Sequence, residues 1–206
     1  MWLADDDYIS SNYVEEIMKE FYKDSNYSLI GGQGYFVNSK KYLETKNETY
    51  DLFDENPSNR LLKYLNIVST NSIFYGIFSL KSLDLEYDMH FYGSDWLHVA
   101  RLAYRGKVKT LKNISVYRED NGVSNQHYTY LQRRKIYFDI YKKFKYDLLH
   151  SSLYDELKPK EVKKLLKDVK KEILNRTSII NILKKSKIKN LKDLILYLKR
   201  KLNFNM

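Results

Sequence analysis

Apolar residues recur along the chain in short bursts divided by polar stretches. Their spacing predicts alternating strands and helices over residues 1–127 and helices alone beyond. Met1-Trp2-Leu3-Ala4 runs straight into Asp5-Asp6-Asp7 and reads as a buried strand ending in an acidic loop. Ser11 and Asn12 suit the N-cap of a helix over about Tyr13 to Tyr22, in which Val14, Ile17, Met18 and Phe21 share a face. Tyr27 to Ile30 and Tyr35 to Val37 are expected to be short strands around Gly31-Gly32-Gln33-Gly34, whose glycines permit a tight turn or the close approach of another group. No Lys-Ser/Thr follows these glycines, which sets them apart from a phosphate loop.

The polar stretch Glu44 to Asn59 is expected to be a surface insertion before a helix around Arg60 to Leu65. Ile73 to Phe78 is a second apolar, strand-like segment, and Asp84 to Tyr92 reads as a loop. Leu97, Ala100, Arg101 and Tyr104 follow at helical spacing until Gly106 stops the helix. Lys107 to Leu111 and Ile114 to Tyr117 are predicted strands, and Arg118 to Gln126 a polar loop with an Asn121-Gly122 step. From Tyr128 the pattern is helical, broken near Leu157-Lys158-Pro159. Val162, Leu165, Leu166, Val169, Ile173 and Leu174 recur among lysines, as do Ile188, Leu191, Leu194, Ile195, Leu198 and Leu202, giving amphipathic helices.

Composition sharpens this picture. At 206 residues and 43% hydrophobic content the chain can bury one ordinary core plus an appendage, hence an α/β unit over 1–127 and a basic helical tail over 128–206. There is no cysteine, so disulfides, thiolate metal sites and thiol chemistry are excluded, and any metal must be held by oxygen or imidazole. No apolar run approaches the roughly 20 residues of a spanning helix, and a cytoplasmic location is expected. From His150 to Met206 there are 16 Lys and Arg against 6 Asp and Glu, whereas the other residues balance. Such a tail suits an anionic surface, and lysines flanking an apolar face point to the inner face of a membrane. Nucleic acid is the other polyanion to consider, but no nucleic-acid motif is present.

Three segments carry candidate chemistry. Asp5, Asp6 and Asp7 crowd like charges together, which a divalent cation would relieve; Mg²⁺ takes one or two protein carboxylates and shares its other sites with water and phosphates. A solvated acidic turn is the plainer alternative. Asp95, after a Gly-Ser turn at a helix N-terminus, is expected to stay ionised and to accept a proton from a nearby hydroxyl, or else simply to cap the helix. Trp96 can pack on a sugar ring or belong to the core. Arg118 can grip phosphate oxygens in fork geometry or make a surface salt bridge. His127 reads as a plain polar contact.

Trp2-Leu3-Ala4-Asp5-Asp6-Asp7-Tyr8-Ile9-Ser10 resembles the acidic DXD segment of bacterial family-2 glycosyltransferases. Phe74 to Phe78 resembles their acceptor-side strand, Gly93-Ser94-Asp95-Trp96 the turn bearing their base, and Tyr117-Arg118 to Ser124 their closing loop, all in the family's order. The resemblance implies the C-terminal part of a GT-A fold with a helical extension. It also implies a metal (Mg²⁺ or Mn²⁺) at Asp6 and Asp7, and a nucleotide-sugar donor, UDP-linked by expectation, held with Asp5, Trp96 and Arg118. Asp95 would be the base of an inverting transfer to a saccharide or lipid-linked acceptor in surface polysaccharide or glycolipid synthesis. Many relatives carry an aspartate where Ala4 stands, which leaves the division of roles among the three aspartates open. The family's nucleotide-binding units precede the acidic motif, so they are expected upstream or on another chain. The rival reading is a noncatalytic remnant or a basic membrane- or nucleic-acid-binding module.

Overall fold

The computed structural model describes residues 1–38, 41–44, 48–82, 91–119 and 130–177. The chain forms two compact units, Met1–Gln126 and His127–Met206. The first is a mixed α/β unit. Its strands are β1 (Tyr8–Ile9), β2 (Tyr27–Asn38), β3 (Lys41–Glu44), β4 (Ile77–Phe78) and β5 (Lys107–Glu119), and its helices α1 (Tyr13–Lys23), α2 (Pro57–Ile67) and α3 (Ser94–Arg105). Strands β2 and β5 pair in parallel at the centre. Strand β1 lies antiparallel on the far edge of β5, and β3 and β4 share the other edge of β2.

Amphipathic α1 fits its sheet because Tyr13 and Ile17, one turn apart, reach Ile30, Leu111, Ile114 and Val116. Leu29 and Val108 alternate with that set and point to the other side, and Leu52 bridges the edge of β5 at Val108 through backbone bonds of 2.9 and 3.2 Å. Helix α2 packs on α3, and α3 on β2 and β5. Arg60 of α2 is buried, and its guanidinium donates to the Ala103 and Tyr104 carbonyls at 2.8 and 2.7 Å, satisfying the open C-terminal end of α3.

Several expectations are overturned. Met1, Trp2 and Leu3 form no strand and are exposed; the strand follows the acidic turn, at Tyr8–Ile9. The glycine segment is no turn but the middle of the continuous strand β2. A Cβ on Gly32 would stand 2.6 Å from the Tyr13 ring and 2.7 Å from the Ile114 carbonyl, so glycine here serves close packing of α1 on the sheet. The two strands predicted between Lys107 and Tyr117 are one strand with a bulge, where the register jumps from Gly32↔Leu111 to Gln33↔Ser115. Ser72–Tyr75 is a turn of 3-10 helix, and only Ile77–Phe78 extend. The supposed surface insertion brings Glu48, Tyr50 and Leu52 into the interior, since Tyr50 N–H donates to the Thr110 hydroxyl at 2.9 Å and Leu52 bridges to β5. Arg118 belongs to β5 rather than to a loop. The segments expected as loops over 84–90 and 120–126, with His127, lie outside the described residues, as do the apolar positions from Ile188 to Leu202.

The second unit contains α4 (Tyr130–His150) and α5 (Pro159–Leu174). Pro159 opens α5 at a position where no N–H is needed, and the Glu161 carboxylate accepts from Lys158 N–H at 2.8 Å. Leu165, Val169 and Ile173 are buried as α5 packs along α4, whose own buried positions are Ile140, Phe144, Asp147 and Leu148. The Asp147 carboxylate accepts from the Tyr154 hydroxyl at 3.1 Å. No helix among the described residues is long and apolar enough to cross a membrane.

Candidate functional site

A cluster of polar residues in the first unit surrounds the link between α2 and the 3-10 turn. Glu48 is buried, and its carboxylate accepts from the backbone N–H groups of Ser69 (2.6 Å), Thr70, Asn71 (3.2 Å) and Ser72 (3.4 Å) and from the Thr70 hydroxyl (2.5 Å). One internal anion thus organises four successive amides, as an external anion would in a nest. Asn71 there takes the left-handed backbone (φ 56°), a conformation asparagine tolerates better than most residues. Its side-chain oxygen accepts from the Tyr64 hydroxyl at 2.9 Å, which turns the amide nitrogen toward Asp95, where it donates at 2.8 Å.

Asp95 stands in the first turn of α3, after Gly93, whose φ of 88° demands glycine. The helix N-terminus and the Asn71 bond favour its charged form, as does the positive charge of Arg118. Burial outweighs them and pushes its pKa above the ordinary 3.8. Beside the helix N-terminus expected to act on Asp95, the structure thus adds desolvation, which works in the opposite direction. Desolvation dominates, and the group becomes a stronger proton acceptor than an exposed aspartate.

Arg118 links this carboxylate to the acidic turn. Its Nη1 donates to the Thr70 carbonyl at 2.6 Å, and its guanidinium lies 4.8 Å from the Tyr75 ring centroid and 5.4 Å from that of Phe36. Arg118 Nε is 4.0 Å from Asp7 Oδ2, an ion pair too long for a hydrogen bond. Asp7 Oδ1 accepts from Glu119 N–H at 3.0 Å, and the Asp7 side chain is only 5% exposed. Burial raises the Tyr75 hydroxyl's pKa, and that hydroxyl interacts with both Asp7 and Arg118. One guanidinium is thus within electrostatic reach of Asp7 on one side and Asp95 on the other.

Asp5 and Asp6 are exposed on the turn closed by Asp7 N–H to the Ala4 carbonyl at 3.3 Å. Trp96 is 9% exposed and belongs to the core, so its ring offers no open face. Among the described residues no three His, Asp or Glu side chains gather at one point. Asp7 already faces an arginine and an amide, whereas Asp6, with Asp5 beside it, is open to solvent. That donor set fits a hard cation of the Mg²⁺ kind, which needs one or two carboxylates and completes its shell with water and phosphate.

Glu48, Tyr64 and Asn71 were not singled out by sequence pattern. Glu48 lies in a polar stretch, and the only available signal was Asn71, a turn-forming residue directly before an apolar run. No family model, curated protein or solved structure matches this chain.

Proposed function

We propose that this chain is the catalytic, acceptor-side part of a family-2 glycosyltransferase of GT-A type, moving a sugar from a nucleotide diphosphate to an acceptor hydroxyl with inversion. The observation that carries this reading is the half-buried Asp95 carboxylate, aimed by Asn71 and sharing Arg118 with Asp7 of the acidic turn. In the reaction, the acceptor oxygen bonds to the anomeric carbon from the face opposite the diphosphate. Asp95 takes the acceptor's proton, and the carbon–oxygen bond to phosphate breaks, its electron pair leaving with the diphosphate. Raised proton affinity at Asp95 brings its pKa nearer the working pH of a general base. Arg118 places positive charge beside the developing anion. A divalent cation at Asp6 would supply further neutralisation of the leaving diphosphate. Asp7 places negative charge beside Arg118, whose guanidinium the Thr70 carbonyl holds in place.

The acceptor best suited to a chain with a basic helical unit is a lipid-linked saccharide at the inner face of a membrane. The test is release of nucleotide diphosphate from UDP-sugars with Mn²⁺. Asp95→Asn should lower the rate by roughly 10²–10⁴-fold, and Asp6→Asn should raise the Mn²⁺ requirement. Equal turnover by wild type and Asp95→Asn would remove the assigned base.

A further inference from the structure

The apolar face of α5 expected to meet lipid is used up in packing, since Leu165, Val169 and Ile173 are buried in the second unit. A different surface remains. Helix α4 buries Ile140, Phe144 and Leu148 on one side, yet Phe138, Tyr146 and Leu149 are 44%, 65% and 49% exposed. At about 100° per residue, Arg134, Lys135, Lys142 and Lys145 fall with these three within roughly 80° of Phe138, on an arc centred about 140° around the helix from the buried side. All four cations are exposed, and no acidic residue lies within that arc. Asp139 borders it and pairs with Lys142 at 3.3 Å. The stripe is about 22 Å long at 1.5 Å per residue. At its C-terminal end it meets an open cavity of about 410 Å³ lined partly by Leu149, Leu157, Val162 and Leu166.

We infer that this outward face of α4 is a membrane-binding surface, its four cations meeting anionic headgroups while Phe138, Tyr146 and Leu149 enter the boundary between headgroups and acyl chains. Positive charge interleaved with apolar side chains along one helix face is what an anionic interface requires. Ring geometry argues against nucleic acid. Lys142 Nζ sits 4.8 Å from the Phe138 centroid, and Tyr146 stacks on His150 at 4.3 Å and 19°, so each ring already has one face covered. Base stacking needs those faces, whereas insertion beside lipid does not. The inference gives the proposed membrane attachment its surface but stands without the transfer reaction.

Co-sedimentation of the full chain with phospholipid vesicles tests it, with no donor sugar present, so that its outcome is separate from that of the transferase reading. Binding is expected to vesicles containing phosphatidylglycerol and not to phosphatidylcholine alone. The double variant Phe138→Ser/Leu149→Ser, which leaves charge unchanged, should weaken binding roughly tenfold. Lys142→Glu/Lys145→Glu should weaken it by roughly tenfold or more, and Lys164→Glu/Lys167→Glu on the outer side of α5 by far less. Circular dichroism matching wild type checks that these exposed substitutions keep the fold. Equal losses from the α4 and α5 charge reversals, an unaffected Phe138/Leu149 variant, or RNA binding without vesicle binding would each overturn the assignment.

Discussion

Two regions of the first unit, both built on β2 and β5, are held by opposite means. Beneath α1 the contacts are dry: Tyr13, Ile17, Ile30, Ile114 and Val116 exclude water, and the one polar group among them, the Tyr13 hydroxyl, accepts from Gly32 N–H at 3.0 Å and donates to the Tyr75 carbonyl at 3.3 Å. Around residues 69–72 a run of directed hydrogen bonds gathers on Glu48 and leads through Asn71 to Asp95. Apolar packing fixes how close the elements come but not the direction of any single group. The polar network fixes direction at the cost of burying charge. The carboxylate proposed to take the acceptor's proton belongs to the second region, and the first supplies its rigid base.

Substitutions can break this contrast, beginning with the strongest. Glu48→Ala leaves buried amides without an acceptor and should cost about 4 kcal/mol, whereas Glu48→Gln, which keeps one oxygen, should cost about half as much. Both tryptophans, Trp2 and Trp96, are in the first unit, so fluorescence during urea unfolding reads that unit. Equal stability of Glu48→Ala and wild type would dismiss the network as incidental. Gly32→Ala tests the dry side. With a ring and a backbone carbonyl in the way, it should lose about 2–3 kcal/mol, while leaving the pH dependence of any transfer rate unmoved.

Tyr13→Phe should cost about 1 kcal/mol and carries a pH signature. Burial pushes the Tyr13 pKa up to about 12 from 10, so the folded state holds its proton more tightly than the unfolded chain. Wild-type stability is then complete below pH 10 and falls as pH rises toward 12; the phenylalanine variant lacks that share of the alkaline loss. The smallest stability effect belongs to Asp95→Asn. Because Asp95's pKa is raised in the fold, its charge is a burden above that pKa, and the burden fades as pH falls through it. At neutral pH the asparagine variant should melt at the wild-type temperature or about 2 °C higher, even as transfer is lost. In the wild type, the acid limb of the rate should lie above the ordinary aspartate pKa of 3.8.

The sequence pattern disclosed the dry region and little of the polar one. Helical spacing located α1 through Ile17 and Phe21, α3 through Leu97, Ala100 and Tyr104, and the start of α5 through Pro159, because each buries a regular stripe. It divided β2 at its glycines and β5 near Lys112, since period-two patterns cannot distinguish a turn from a strand in which glycine admits a neighbouring ring, or from a bulge. Asp95, Asp7 and Arg118 stood out as charged residues at element ends. Glu48 and Asn71 did not, because their roles rest on partners about twenty residues away and on a left-handed φ that no periodicity encodes.

The clamp of Arg60 on the last carbonyls of α3 has a consequence for the opposite end of that helix. Twelve residues make a rod roughly 18 Å long, secured at its tail by a guanidinium and bearing the Asp95 carboxylate at its head. Anchored this way, the rod cannot creep along its own axis. If Asp95 is the proposed base, an arginine at the far end of the helix helps set how far its carboxylate protrudes, and loosening Arg60 would displace that oxygen before it broke the fold.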